Sequence, residues 1–267
     1  MASVCSPPPL HASQAERASR PHRTVFVEKP LAARASELER LATLNGCVPV
    51  LQWRAGRGLL ALRAAIQSGE FGEAPTVCGD LSWSRDAAYF SEGRASRREW
   101  GCGVLLSVGI HAVDAVCFAL ARPVEWATAS LGYRRGVEVE TSAVMTMAFD
   151  GGALACLRAT FDAGTDTTRL SLTGGGATAV IEGSDVDPTA ANVTWIAPSH
   201  AKLRSLQALE SQCSGARHPP LLVPFLHAAI DAVKRGARPG DCDALPSVES
   251  ARAAHHAVFD AYAAAVP

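Results

Sequence analysis

Short apolar runs alternate with helix-compatible segments along the first 53 residues of the chain. Runs at residues 2–5, 24–27 and 48–53 predict three β-strands, because apolar and β-branched residues cluster there between turn-forming residues. Residues 11–20 and 32–44 lie between these runs and predict two helices. Helices that connect successive strands produce parallel pairing through right-handed crossovers. The pattern therefore predicts a small parallel α/β unit.

From residue 55 onward the pattern changes to longer helices and a series of strands. Helices are predicted at residues 58–67 and 106–120, and a strand at residues 76–83 precedes an arginine-rich loop at residues 84–98. Six further segments alternate in the manner of strands with one buried face: 124–133, 142–149, 153–161, 169–173, 177–182 and 192–196. We expect these segments to form one large antiparallel sheet.

The last third of the chain combines a polar stretch with two helices. Residues 199–219 are polar and predict a mobile loop or a docking segment. Apolar residues recur at helical spacing from Leu222 to Val233 and predict one helix. Ser247 is the expected N-cap of a final helix that runs to about Ala264.

The length of the chain agrees with two domains. Its 267 residues correspond to roughly two units of about 150 residues each. We predict an α/β domain over residues 1–54 and an α+β domain over residues 55–267, the second with a large open antiparallel sheet flanked by helices.

Charge and composition exclude several functional classes. Twenty-five basic residues balance 26 acidic ones, so no overall positive field is available to hold nucleic acid or anionic lipid. Apolar runs shorter than about 18 residues predict no membrane span, and the first ten residues lack the pattern of an export signal. Eight cysteines without a C-x-x-C pair predict reduced core residues in a cytoplasmic protein that binds no metal.

Glu28-Lys29-Pro30 and a stripe on a later helix carry the strongest chemical signal. Lys29 follows a predicted strand, where open α/β sheets bind ligands, and its amine suits hydrogen bonding to a substrate hydroxyl. Ser107, His111 and Asp114 are spaced by four and three residues, so they share one face of an apolar helix. The alternatives are a solvated lysine, a core histidine and a serine that caps the helix.

Two further motifs are less specific. Trp83, Arg85 and Tyr89 lie at a predicted junction between strand and loop and suit either a polyhydroxylated ligand or an ordinary packed loop. Residues 174–179, GGGATA, formally match the G-x-G-x-x-A dinucleotide fingerprint, but a strand pattern follows instead of a helix. We interpret the glycine run as a tight turn.

Four segments in a fixed order resemble one family. Residues 3–11, SVCSPPPLH, look like a fourth Rossmann strand and the turn after it, and residues 25–31, VFVEKPL, are similar to an EKP signature. Residues 101–114, GCGVLLSVGIHAVD, are similar to a G-G-G-x-L-x-(D/N)-x-G-x-H-x-x-D helix, and residues 244–249 to the start of a last helix. Together they resemble the Gfo/Idh/MocA family of NAD(P)-dependent sugar and polyol oxidoreductases.

The resemblance implies a function and a set of roles. Hydride would pass between NAD or NADP and a sugar, nucleotide-sugar or polyol hydroxyl, in a homodimer or homotetramer formed through the antiparallel sheet. The resemblance implies catalytic roles for Lys29 and His111. It implies substrate binding by Trp83, Arg85, Tyr89, Ser107 and Asp114, and cofactor binding by Ser6, Pro7, His11, Glu28 and Lys29.

Two departures from the family pattern leave two interpretations open. Ser107 stands where the family has aspartate or asparagine, and it offers neither a carboxylate nor an amide. The first half of the Rossmann domain, with its G-x-G-x-x-G turn, has no counterpart in the 267 residues, which implies impaired cofactor binding. The chain is either the greater part of an oxidoreductase or a truncated, non-catalytic paralogue that binds sugar or dimerises.

Overall fold

The small parallel sheet forms as the sequence predicts. A computed structural model describes residues 1–91, 97–134, 136–183, 192–215, 217 and 221–265. Strands β1 (Ala2–Val4), β2 (Val25–Val27) and β3 (Cys47–Pro49) pair in parallel in the order β1-β2-β3. Helices α1 (His11–Ala18) and α2 (Ala35–Ala42) connect them. Each strand is only three residues long, so residues 50–53 are not strand and the chain turns into a 3₁₀ helix, Gln52–Ala55.

The second part of the chain begins with helices on one face of a sheet. Helix α3 (Arg57–Gln67) leads to strand β4 (Thr76–Ser84), and the predicted loop after it contains a short helix, α4 (Ala87–Ser91). A π-helical turn, Leu105–Gly109, then continues directly into helix α5 (Ile110–Leu120), of which every residue is buried.

A seven-stranded sheet contains the remaining strands. They are β5 (Val124–Gly132), β6 (Ser142–Phe149), β7 (Ala153–Thr160), β8 (Asp162–Gly174), β9 (Ala177–Gly183) and β10 (Thr194–Ile196). The order is β10-β9-β8-β4-β7-β6-β5. Strand β4 inserts between β8 and β7 and runs parallel to β7, whereas the other pairs are antiparallel. The predicted large antiparallel sheet is confirmed, with one parallel pair, β4–β7, that alternation could not predict because it does not encode the direction of a neighbouring strand.

One face of this sheet is buried and the other is open. In β7, Ala155, Leu157 and Ala159 are buried, and the alternating residues Cys156 and Arg158 are exposed. The period of two puts the first set toward α3 and α5. Turns between strands use glycines in the left-handed region. Gly175, with a φ of +54°, joins β8 to β9, and a Cβ there would lie 2.6 Å from the carbonyl oxygen of Glu70. The interpretation of residues 174–179 as a tight turn is confirmed.

Helices from the end of the chain cover the small sheet. Helix α7 (Leu222–Lys234) packs Phe225 and Ala229 against Phe26 and Val48. Helix α8 (Val248–Ala264) packs Val248 and Ala251 against the other face, and Ser247 caps it by accepting the backbone N–H of Ser250 at 3.2 Å. The boundary at residue 54 stays a prediction.

Three further expectations from the sequence need correction. The polar stretch 199–219 contains helix α6 (His200–Gln212), because Ser199 accepts the backbone N–H of Lys202 as an N-cap. Four of the eight cysteines are exposed rather than in the core: Cys5, Cys78, Cys156 and Cys242. Segment Arg98–Leu120 is long and apolar enough to cross a bilayer, but 94% of its most apolar window is buried within the protein.

Candidate functional site

Lys29 and the helix that carries His111 meet at the carboxyl end of the small sheet. Lys29 lies two residues after the end of β2, and its bond to Pro30 is cis. The ammonium group of Lys29 donates a hydrogen bond of 2.8 Å to the carbonyl oxygen of Ser107. Both residues are half-buried. The structure therefore brings together two motifs that lie 78 residues apart in the sequence.

Glu140 and a glycine determine how this helix begins. The Glu140 carboxylate accepts the backbone N–H of Leu105 at 3.2 Å and the hydroxyl of Tyr262 at 2.6 Å. A Cβ at Gly103 would overlap this carboxylate, so the motif needs glycine there. The π-helical turn that follows interrupts regular α-helical hydrogen bonding, as is common at functional sites.

His111 is buried and stacks on an aromatic ring. Its side chain is 3% exposed, and its ring centroid lies 5.2 Å from that of Trp53 at an interplanar angle of 16°. Burial, with a smaller contribution from the Lys29 ammonium, holds the pKa of His111 well below 6.5. The imidazole is therefore neutral near pH 7. The protein covers the ring almost completely, so only a small part of His111 reaches solvent.

Unpartnered polar atoms collect beside this contact. Among the described residues, five buried side-chain nitrogen or oxygen atoms lack a hydrogen-bond partner. Four of them follow the carboxyl ends of β1 and β3 or stack there: Ser6 Oγ, Gln52 Oε1, Trp53 Nε1 and His111 Nδ1. Buried polar groups without partners cost stability, so their concentration in one region is typical of a ligand site.

Two members of the predicted polar stripe have other partners. Both carboxylate oxygens of Asp114 bind the guanidinium of Arg54, at 2.9 and 2.6 Å, and this pair is buried. Arg54 also donates to the Ser250 carbonyl oxygen at 2.8 Å. The Ser107 hydroxyl donates to the Gly103 carbonyl oxygen at 2.7 Å. Both oxygens of Asp114 are engaged by Arg54, so substrate contact by Asp114 stays a prediction, and Ser107 faces Lys29 through its carbonyl oxygen.

His11 holds the main chain together around Lys29. Its buried ring donates from Nε2 to the Ser6 carbonyl oxygen at 2.7 Å, and its Nδ1 lies 3.2 Å from the Leu31 carbonyl oxygen. Both ring nitrogens face backbone carbonyl oxygens, and contact of His11 with a cofactor stays a prediction. Ser6, Pro7 and Glu28 lie at the carboxyl ends of β1 and β2 and stay predicted cofactor contacts.

Trp83, Arg85 and Tyr89 do cluster at the end of β4. The Arg85 guanidinium lies 5.2 Å from the Trp83 ring and 5.3 Å from the Tyr89 ring, and it approaches Asp166 at 3.7 Å. The Trp83 ring is buried, and its Nε1 donates to Thr168 Oγ1 at 3.2 Å. Trp83 is thus less accessible than Arg85 and Tyr89, which are half-buried at the surface, and substrate binding by the three residues stays a prediction.

The structure adds residues that the sequence did not single out. They are Trp53 under His111, Arg54 on Asp114, Glu140 and Tyr262 at the start of the helix, and His255 on α8, which contacts Leu31. The sequence did not distinguish Glu140 from Glu138, because the two carboxylates alternate with valines at residues 137–140. The partners of the others lie in distant segments.

Comparisons with known proteins agree with this architecture. Residues 59–185 match a family described as the GFO/IDH/MocA C-terminal domain, and residues 1–46 match the oxidoreductase family with an NAD-binding Rossmann fold. This chain belongs to the Gfo/Idh/MocA family of oxidoreductases. A sequence comparison with curated proteins gives no match.

Solved structures of Gfo/Idh/MocA type share the fold. The WlbA dehydrogenase from Bordetella pertussis, in complex with NADH and UDP-GlcNAcA, superposes with a TM-score of 0.78 and 22% identity over 98% of this chain and 76% of that one. The WlbA dehydrogenase from Chromobacterium violaceum gives 0.78 and 20% over 98% and 74%. An aldose-aldose oxidoreductase from Caulobacter crescentus, complexed with glycerol, gives 0.70 and 16% over 98% and 76%.

Proposed function

We propose that this protein transfers hydride between a nicotinamide cofactor and a hydroxyl-bearing carbon of a sugar, nucleotide sugar or polyol. The observation that carries the proposal is the contact of the Lys29 ammonium with the Ser107 carbonyl oxygen, at 2.8 Å. This contact holds the Lys29 amine next to Ser107, which lies four residues before His111. Both groups are at the edge where α/β sheets bind ligands.

Lys29 and His111 supply complementary proton chemistry. Oxidation of a hydroxyl-bearing carbon also releases the hydroxyl proton, which must leave to a base. The neutral imidazole of His111 is able to accept that proton, and the Lys29 ammonium stabilises the oxygen as negative charge develops. In the reverse direction the same groups return the proton to the carbonyl oxygen. The low pKa of His111 favours the neutral form that this step requires.

The residues present fit the carboxamide end of NAD(P). The cofactor supplies hydride acceptance and donation when it is bound. Ser6 Oγ and Gln52 Oε1 are buried without partners at the carboxyl ends of β1 and β3, and suit a carboxamide that needs both a donor and an acceptor. The printed sequence holds no glycine-rich turn before a helix that would bind pyrophosphate. We therefore expect weak cofactor binding by these 267 residues.

Substrate class follows from the half-buried Arg85 and Tyr89. A guanidinium beside a phenol suits a ligand with hydroxyls and a negative charge, and structural neighbours are complexed with UDP-GlcNAcA and with glycerol. We propose a nucleotide sugar as the first compound to test, and a homodimer or homotetramer formed through the open face of the seven-stranded sheet. A sugar-binding protein without turnover is the second candidate, favoured by the 3% exposure of His111.

Steady-state kinetics with Lys29→Ala test the proposal. We expect kcat to fall about 100-fold or more, the range for loss of an acid–base group. Lys234→Ala is the matched control, because Lys234 is exposed in the last turn of α7, and it should keep the original kcat. Turnover that survives in Lys29→Ala would contradict the assigned chemistry. Saturable sugar binding without oxidation of NADH or NADPH would favour the second candidate.

A further inference from the structure

A buried histidine of α8 holds the backbone of Leu31, the residue after Pro30, and a second buried histidine lies beside it. His255 Nε2 accepts the N–H of Leu31 at 3.0 Å. His11 Nδ1 lies 3.2 Å from the Leu31 carbonyl oxygen. The contact between His255 and Leu31 spans 224 residues of sequence and joins α8 to the segment that carries Lys29.

The protonation state of His255 is determined by its surroundings. Its Nδ1 lies 2.9 Å from the Ala251 carbonyl oxygen, which only accepts, so this nitrogen carries the proton. The other nitrogen must then accept, and the Leu31 N–H is the donor that it meets. The ring is 0% exposed, and burial is the main cause that lowers its pKa to about 4. Protonation at Nε2 would turn an acceptor into a donor and break the bond to Leu31.

We infer that His255 is a positioning residue that holds the Lys29 amine at the Ser107 carbonyl oxygen through the backbone of Leu31. The short path from Leu31 through Pro30 to Lys29 leaves the chain little freedom, because proline restricts its own φ and the conformation of the residue before it. Loss of the hydrogen bond between His255 and Leu31 would free the chain after β2, and the Lys29 amine would then leave the Ser107 carbonyl oxygen. The catalytic consequence rests on the proposed function, but the placement of the amine does not.

The chain is well suited to a direct test because it contains only three lysines, at positions 29, 202 and 234. Protein with ¹³C-labelled lysine therefore gives three ε-methylene signals, and Lys29→Arg assigns the first. The test compares two polar replacements. His255→Gln places an amide oxygen near the position of Nε2 and keeps an acceptor for Leu31. His255→Asn ends near the position of Nδ1 and does not reach Leu31.

We expect the Lys29 signal to shift and broaden in His255→Asn, to return toward its original position in His255→Gln, and to leave the signals of the other two lysines unchanged. His256→Asn is the matched control, because that neighbouring ring lies at the surface of α8, where it contacts Glu39 at 2.9 Å. It should leave all three signals in place. An unchanged Lys29 signal in folded His255→Asn would overturn the inference. If His255→Asn does not fold, His255→Leu removes the acceptor and fills part of the buried space, and an unchanged Lys29 signal in that folded variant would also overturn the inference.

Kinetics separate this inference from the proposed function. If the positioning role of His255 and the proposed function are both correct, kcat falls about 10- to 100-fold in His255→Asn, as expected when a catalytic group moves by about 1 Å. KM should change little, and His255→Gln should recover most of the rate. If Lys29→Ala keeps full activity while the Lys29 signal still moves in His255→Asn, the positioning stands and the chemistry assigned to Lys29 fails. A loss of kcat in His255→Asn that His255→Gln does not recover, with the Lys29 signal unmoved, would overturn the positioning role.

Discussion

Acid should destabilise this protein through the buried ring of His255. The pKa of His255 is lowered from 6.5 to about 4, chiefly because the ring is buried. The unfolded chain, with a pKa of about 6.5, binds the proton more tightly, so the free energy of unfolding falls as pH drops from about 6.5 to about 4 and levels off below. A difference of about 2.5 pKa units at about 1.36 kcal/mol each corresponds to about 3 kcal/mol. That is a large share of the 5–15 kcal/mol typical of such proteins, taken as a rough range.

Urea unfolding at pH 7, 6, 5 and 4, followed by circular dichroism, measures this effect. His11 and His111 also have lowered pKa values caused by burial, so they change stability in the same direction. The difference between the original protein and His255→Gln isolates the contribution of His255, because glutamine keeps an acceptor but does not titrate. We expect the original protein to lose about 3 kcal/mol more than the variant over this range. Parallel stability curves for the two proteins would refute the reasoning.

Two substitutions test, by the same unfolding assay, the contacts that hold the helix of His111 in place. Asp114→Ala leaves the buried Arg54 guanidinium without its carboxylate, so we expect a loss of about 3–5 kcal/mol; a loss below 1 kcal/mol would show that the pair is not needed. Gly103→Ala places a Cβ against the Glu140 carboxylate and should cost about 1–3 kcal/mol. Gly164→Ala, where a Cβ meets nothing within 4 Å, is its control, and equal losses in the two variants would contradict the overlap.

Local patterns were enough to predict most of the secondary structure. The alternation of β6, for example, predicts residues 142–149, and the strand observed is Ser142–Phe149. The contact between Lys29 and the helix of His111 was expected because strand ends and helix faces are readable from spacing and from the family resemblance. Alternation and helical spacing arise from which face of one element is buried, and this information is contained within a few consecutive residues.

The amino-acid sequence by itself predicted the small parallel sheet, the order of most of the other elements and the candidate residues of the site. Only the tertiary structure decided that β4 lies in the centre of the second sheet, that Asp114 is occupied by Arg54, and that His255 holds the backbone of Leu31. The physical reason is that a buried charge or imidazole must find partners wherever folding brings them. Those partners lie 60 and 224 residues away along the chain, where no local pattern connects them.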